Sequence, residues 1–178
     1  MKRWAWLLLL VPPLAWSLPW LGGEPLAAAQ AGGALIPERV LAGEWWRVFT
    51  APLLHVHTNH LLVNLAGLAV FGHLAHAVFG LGRAASVAAA GGLASGLASL
   101  LWVDRWALGA SGAVFALLGA AVIGGLRLRG PTHAATRIFL AAASVALAVS
   151  GPGNSVAHLA GLATGAAFAA LFRLRTSA

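Results

Sequence analysis

The sequence has no cysteine and only four acidic residues. Without cysteine there is no disulfide, no thiol nucleophile and no cysteine-based metal site, and the redox compartment stays open. Charged residues make up 8% of the 178, against about a quarter in a soluble domain, too few to coat a water-facing surface. What is present instead is apolar: 60% hydrophobic residues and a mean hydropathy of +0.86. Apolar runs of about 20 residues are the signature of bilayer-spanning helices, and in lipid a helix satisfies every backbone N–H and C=O within itself. Runs such as 84–101 do not alternate as barrel strands do. The reading is an all-α, polytopic membrane protein, a single membrane domain over residues 1–178.

Six spans are expected, at about 4–21, 53–71, 84–102, 108–126, 134–150 and 156–172. With the N-terminus inside, the inner segments carry Lys2, Arg3, Arg83, Arg127, Arg129, Arg137, Arg173 and Arg175. The outer ones carry Arg39, Arg47 and Arg105 with all the acids, Glu24, Glu38, Glu44 and Asp104. That asymmetry follows the positive-inside rule and puts both termini in the cytoplasm. It also explains the net charge of +7 as topology anchors, so no nucleic-acid partner is implied. Residues 1–31 read as a secretory signal as well, and cleavage there would leave five spans with the mature N-terminus outside. Trp4, Trp6, Trp16 and Trp20 favour a retained span with interfacial anchors. The long loop 22–50 carries Ile36, Val40, Leu41, Trp45, Trp46 and Val48, the composition of an element lying on or in the outer leaflet.

Polar residues inside spans are costly, so each marks a possible site. Three groups stand out. His60 and Asn64 share a helix face with Gly67; the plain alternative is a polar pair gluing helices together. Gly109-Ala110-Ser111-Gly112 opens the fourth span, where a serine at a helix N-terminus lies beside free backbone N–H groups; the plain alternative is an N-cap. His158 shares a face with Gly161 and Gly165, which would let a neighbouring helix approach it; the plain alternative is a structural bridge.

Depth joins the three. Ser111 lies 16 residues before Arg127 and His158 15 before Arg173, about 24 and 22 Å from the inner ends of their helices. In a core of about 30 Å both fall at one level below the outer surface, and His60 and Asn64 also fall in the outer part of their span. A serine and a histidine within hydrogen-bond reach form a nucleophile and its general base. The Ser111 backbone N–H, Asn64 and His60 are candidate donors to an oxyanion. No acid is available in any span, so a Ser–His dyad is expected, with Phe115 packing one turn below the serine. The only aspartate is Asp104 in an outer loop and no glutamate adjoins a histidine, which excludes paired-aspartate and zinc chemistry.

These residues resemble the rhomboid family of intramembrane serine proteases. The resemblance runs through Glu44-Trp45-Trp46-Arg47, His55, His60-x-x-x-Asn64, Gly109-Ala110-Ser111-Gly112-Ala113-Val114-Phe115 and Ala157-His158-Leu159-Ala160-Gly161 with Gly165. It implies a six-transmembrane-helix bundle of the minimal bacterial type in the cytoplasmic membrane, with a water-admitting cavity opening outward. It also implies single-span membrane proteins as substrates, the bilayer as surroundings and no cofactor or metal. Trp46 and Arg47 would then belong to a membrane-embedded first loop, Gly109 and Gly112 would support the serine, and the fifth span with the Gly151-Pro152-Gly153 loop would gate substrate access. Phe115 departs from the tyrosine frequent in the family, losing a hydroxyl but not a ring. Three readings compete with this one: a catalytically silent relative binding membrane-protein clients, which would lack the serine or histidine; a transporter or metal channel lined by His55, His57, His60, His73 and His76, which would need intramembrane carboxylates; and a sortase-like rhomboid, which would carry a histidine soon after the serine. His57 and His73 read as interfacial or packing residues, His76 and His133 as solvated inner-loop ones.

Overall fold

A computed structural model describes residues 4–101, 106–126 and 154–171. The expected fifth span at 134–150, its Gly151-Pro152-Gly153 loop and His133 lie outside these residues.

The first apolar stretch is not one regular helix. A 3-10 helix, Ala5–Leu10, leads into α1, Val11–Ser17, and a second 3-10 turn follows at Leu18–Trp20. Pro12, Pro13 and Pro19 are the cause: each lacks an N–H and crowds the carbonyl four residues back, so the turns beside them tighten. At about 2.0 Å rise per 3-10 residue and 1.5 Å per α residue, the run reaches roughly 28 Å.

The loop that follows is built, not slack. It contains α2 (Pro25–Gly32), α3 (Pro37–Leu41) and α4 (Arg47–Thr50). Leu35, Val40 and Val48 turn inward, while Leu41, Trp45, Trp46 and Phe49 are exposed. The buried Arg47 staples it: Nε donates to Glu44 Oε2 at 2.6 Å and Nη1 to the carbonyls of Gln30 and Ala34 at 3.1 and 3.0 Å. Its guanidinium also lies 4.5 Å above the Trp46 ring. Arg47→Ala is therefore expected to lower the unfolding free energy by about 2 kcal/mol, the scale of a hydrogen-bonded charged group. Arg47→Lys should recover less than half, because an ammonium cannot fork between Glu44 and two carbonyls. Thermal unfolding in detergent reads the difference; equal midpoints for wild type and Arg47→Ala would mean the loop is held elsewhere.

Next come α5 (Thr58–Phe79) and α6 (Leu81–Ser99), joined by Gly80 alone. Gly80 has φ +84°, open to glycine, and closes α5 by donating to the His76 carbonyl at 2.8 Å. This corrects the expected boundaries: α5 runs two turns past Phe71, and α6 begins before Ala84. Nothing between 71 and 80 breaks a helix, histidine being only a mildly poor helix former. His76 is thus a half-buried residue of α5 and not part of a solvated loop, while His73 meets Trp6 edge to face at 5.4 Å. Among the described residues, α5 is the one helix both long and apolar enough on its own to cross a bilayer.

The last two described helices are α7 (Ser111–Leu126) and α8 (Ser155–Leu171). α7 is the hub, packed against α5, α6 and α8, and its run 115–120 is buried throughout. Leu68, Ala75, Phe79, Ala84, Val87 and Ala169 close around Ala116, Leu117 and Ala120. The outside is oily: Leu8, Val11, Phe49, Val63, Val70 and Leu97 are each more than half exposed, a surface that a water-soluble monomer rarely carries. A hollow of about 550 Å³ between α1, α5, α6 and α7 has an entirely apolar lining, including Leu9, Pro52, Leu68, Gly92 and Ala113.

Candidate active site

Ser111 stands at the first position of α7, and the chain ahead of it is held from several sides. Leu35 and Ala107 exchange backbone hydrogen bonds at 2.8 and 2.9 Å, Gly109 donates to the Ala51 carbonyl at 2.9 Å, and Ala110 donates to His55 Nε2 at 3.2 Å. Gly109 takes φ +105°, and a Cβ there would lie 2.6 Å from His60 Cε1, so only glycine serves both the turn and the space. Val114 N–H donates to the Ala110 carbonyl at 3.0 Å, the first bond of the helix. The N–H groups of Ser111, Gly112 and Ala113 therefore have no acceptor within α7, and the positive end of its dipole lies beside the Ser111 hydroxyl.

His158 is set by the start of α8. Asn154 Oδ1 accepts from Ala157 N–H at 3.1 Å, an N-cap, while Asn154 Nδ2 donates to Ser99 Oγ at 3.1 Å. Ser99 Oγ in turn donates to the Ser95 carbonyl at 2.8 Å, and Ser95 Oγ donates to the Ala157 carbonyl at 2.6 Å. These bonds tie the first turn of α8 to α6. Sequence reasoning placed polar groups in three places and missed this fourth. The signal was there: an asparagine just ahead of an apolar run is an N-cap signature, and two serines four apart inside a span are polar neighbours on one face.

Ser111 and His158 meet: His158 Nε2 lies 3.2 Å from Ser111 Oγ. The Phe115 ring stacks on the imidazole, with centroids 4.6 Å apart and 29° between planes. The approach rests on missing side chains, since a Cβ at Gly161 would lie 2.5 Å from the Gly112 carbonyl oxygen and one at Gly165 would overlap the Ala116 carbonyl. The pair faces a cavity of about 100 Å³, which His60, Ser95, Gly109 and Asn154 also line. His60 therefore joins Ser111 and His158. Asn64 does not line that cavity; it is buried one turn along α5, its amide donating to the His60 carbonyl at 3.0 Å. Gly67, on the same face, rests against Val114. Trp46 and Arg47 belong to the stapled loop, away from the cavity lining.

His55 and His60 meet edge to face at 4.9 Å, whereas His73 lies about 20 Å further along α5 at 1.5 Å per residue. Among the described residues, no three His, Asp or Glu side chains are grouped to hold a metal ion.

Comparison with known proteins agrees on one family. The Rhomboid domain model matches residues 42–175. The rhomboid protease GluP of Bacillus subtilis is 36% identical over 90 residues, 51% of this chain and 18% of its own length. A second rhomboid-named protein of that bacterium, YdcA, is 33% identical over 132 residues, 71% of this chain and 66% of its own length. RHOMBOID-like protein 1 of Arabidopsis thaliana is 30% identical over 164 residues, 88% of this chain and 42% of its own length. The chain thus spans less than two thirds of each of these relatives. The matched segment includes Ser111, His158, His60 and the α7–α8 contact, and with it the chain belongs to the rhomboid family of integral, polytopic membrane proteins, generally intramembrane serine proteases.

Proposed function

We propose that this chain is a serine endopeptidase that cleaves transmembrane segments of single-span membrane proteins, with Ser111 as nucleophile and His158 as general base. The observation that carries the reading is the 3.2 Å approach of His158 Nε2 to Ser111 Oγ across the α7–α8 interface. His158 takes the hydroxyl proton on Nε2 as Ser111 Oγ attacks the scissile carbonyl, so the resting ring is neutral with its proton on Nδ1. The same proton then passes to the leaving amine, and water drawn into the cavity hydrolyses the acyl-enzyme by the reverse sequence. The oxyanion forms beside the start of α7, where the Ser111 N–H and the helix dipole favour negative charge. His60 reaches the same cavity. Asn64 has a second amide N–H beyond the one given to the His60 carbonyl, and a side-chain rotation in the substrate complex would bring it to bear. No acid takes part; stacking on Phe115 orients the imidazole in its place.

The topology proposed with it has six spans in the cytoplasmic membrane, both termini inside and the cavity opening outward. Its support is the distribution of the basic residues along the sequence. No cofactor is required. The test is labelling of the detergent-solubilised protein with a fluorophosphonate: modification is expected at Ser111 and nowhere else, and is expected to fall at least tenfold in rate in His158→Ala, which leaves the hydroxyl without a base. A folded protein that takes up no label at Ser111 overturns the proposal.

A further inference from the structure

His55 is fully buried, three residues ahead of α5, and the Ser–His chemistry makes no use of it. Its ring is nevertheless bonded at both nitrogens. Nε2 receives the Ala110 N–H at 3.2 Å; a backbone N–H only donates, so Nε2 carries a lone pair and the ring proton is on Nδ1. Nδ1 lies 3.1 Å from Ser17 Oγ, and Ser17 Oγ donates its one proton to the Leu53 carbonyl at 3.0 Å. The hydroxyl oxygen is then left to accept from Nδ1–H. A single proton assignment satisfies all three bonds, and the other tautomer would set an Nε2–H against the Ala110 N–H.

Ala110 is the residue directly before Ser111 and the one whose carbonyl accepts the first bond of α7. Its peptide orientation decides where the Ser111 hydroxyl points. The neighbourhood leaves little slack: the His60 ring meets His55 edge to face at 4.9 Å, and a Cβ on Gly109 would lie 3.4 Å from His55 Nε2. We infer that His55, held as its Nδ1–H tautomer by the Ala110 N–H on one side and anchored by Ser17 of α1 on the other, is a positioning residue that fixes the Ala110 peptide and so aims Ser111 at His158. The inference rests on the proposed protease reading for its catalytic consequence, but the tautomer lock stands on the hydrogen bonds alone. It gives α1, which lies outside the motif-bearing segments, a direct connection to the nucleophile.

The test uses the full chain reconstituted in liposomes with a single-span model substrate, comparing wild type with Ser17→Ala, Ser17→Thr, His55→Leu and His55→Gln. Misaiming a nucleophile costs on the order of 100-fold, so Ser17→Ala and His55→Leu are expected to lose ten- to a hundredfold in kcat with KM within twofold of wild type. Ser17→Thr keeps the hydroxyl and His55→Gln keeps an acceptor near the Nε2 position, and both are expected to recover most of the loss. A purely structural role would instead lower the unfolding midpoint while leaving kcat per folded molecule unchanged, or would leave Ser17→Thr as slow as Ser17→Ala; either result overturns the inference. A long-range nitrogen-15 spectrum of histidine-labelled wild type adds a readout independent of catalysis. It is expected to show His55 protonated at Nδ1, with the Nδ1 signal shifted in Ser17→Ala as its Ser17 acceptor is lost; protonation at Nε2 in the wild type overturns the lock. Wild type that neither cleaves nor takes label while His55 shows the Nδ1–H form would defeat the protease reading and leave the lock in place.

Discussion

Replacing Ser111 with alanine is expected to lower substrate cleavage by about 10⁴-fold or more, leaving only what binding and the oxyanion site contribute. In activation free energy that is a loss of about 5.4 kcal/mol at roughly 1.36 kcal/mol per tenfold. His158→Ala should do the same, and the double variant should be no slower than either single one, because a nucleophile without its base and a base without its nucleophile are equally idle. The folded structure should survive both changes, since Ser111 is at the first position of its helix and His158→Ala keeps a good helix former in α8 at the loss of the ring contact with Phe115. Cleavage of a single-span substrate in liposomes, normalised to folded protein, reads the effect. Retained cleavage in Ser111→Ala, or double-variant losses that add, would remove the dyad from the mechanism.

Gly165→Val is the second large effect. A Cβ at Gly165 would overlap the Ala116 carbonyl oxygen and lie 2.6 Å from its carbon and 2.8 Å from Ala116 Cα. All three are backbone atoms of the buried middle of α7, so neither partner can yield by changing a rotamer and the helices must separate. Overpacking of this kind costs about 1–3 kcal/mol of stability. The catalytic cost is larger, since His158 lies two helical turns above Gly165 on the same face and a 1 Å retreat of the base is expected to lose about 100-fold in kcat. Gly82→Ala is the control: on α6, with nothing within 4 Å of a new Cβ, it should be neutral or slightly stabilising, an exposed helical glycine costing about 0.5–1 kcal/mol relative to alanine. Equal activity for Gly165→Val and Gly82→Ala would show that the close α7–α8 crossing is not what brings base to serine.

The α7–α8 contact was legible in the sequence because depth is arithmetic: a helix rises uniformly, and Arg127 and Arg173 gave both helices a common origin for locating Ser111 and His158. The glycines near His158 were legible for a related reason, since a missing side chain on a fixed face has few uses besides close approach. Three features were not. The proline-broken first helix was hidden by its even hydropathy, which a run of leucines keeps whether the turns are α or 3-10. The hairpin at Gly80 was hidden because His76 suggested a solvated loop, although a helix of α5's length carries it along its course. Hydrogen bonds such as Asn154 to Ser99, or Ser17 to His55, were hidden because they join residues 38 and 55 positions apart and leave no periodicity. Asn64 was placed beside His60 from their shared helix face and depth, but in this structure it does not line the cavity and its amide turns back on its own helix.

Pro52 and Gly92 line both the 100 Å³ cavity beside Ser111 and the 550 Å³ hollow behind it. They form a shared partition with polar groups on one side and hydrocarbon on the other. Apolar hollows hold water poorly, so among the described residues the side of this wall away from Ser111 offers water no polar path toward the serine.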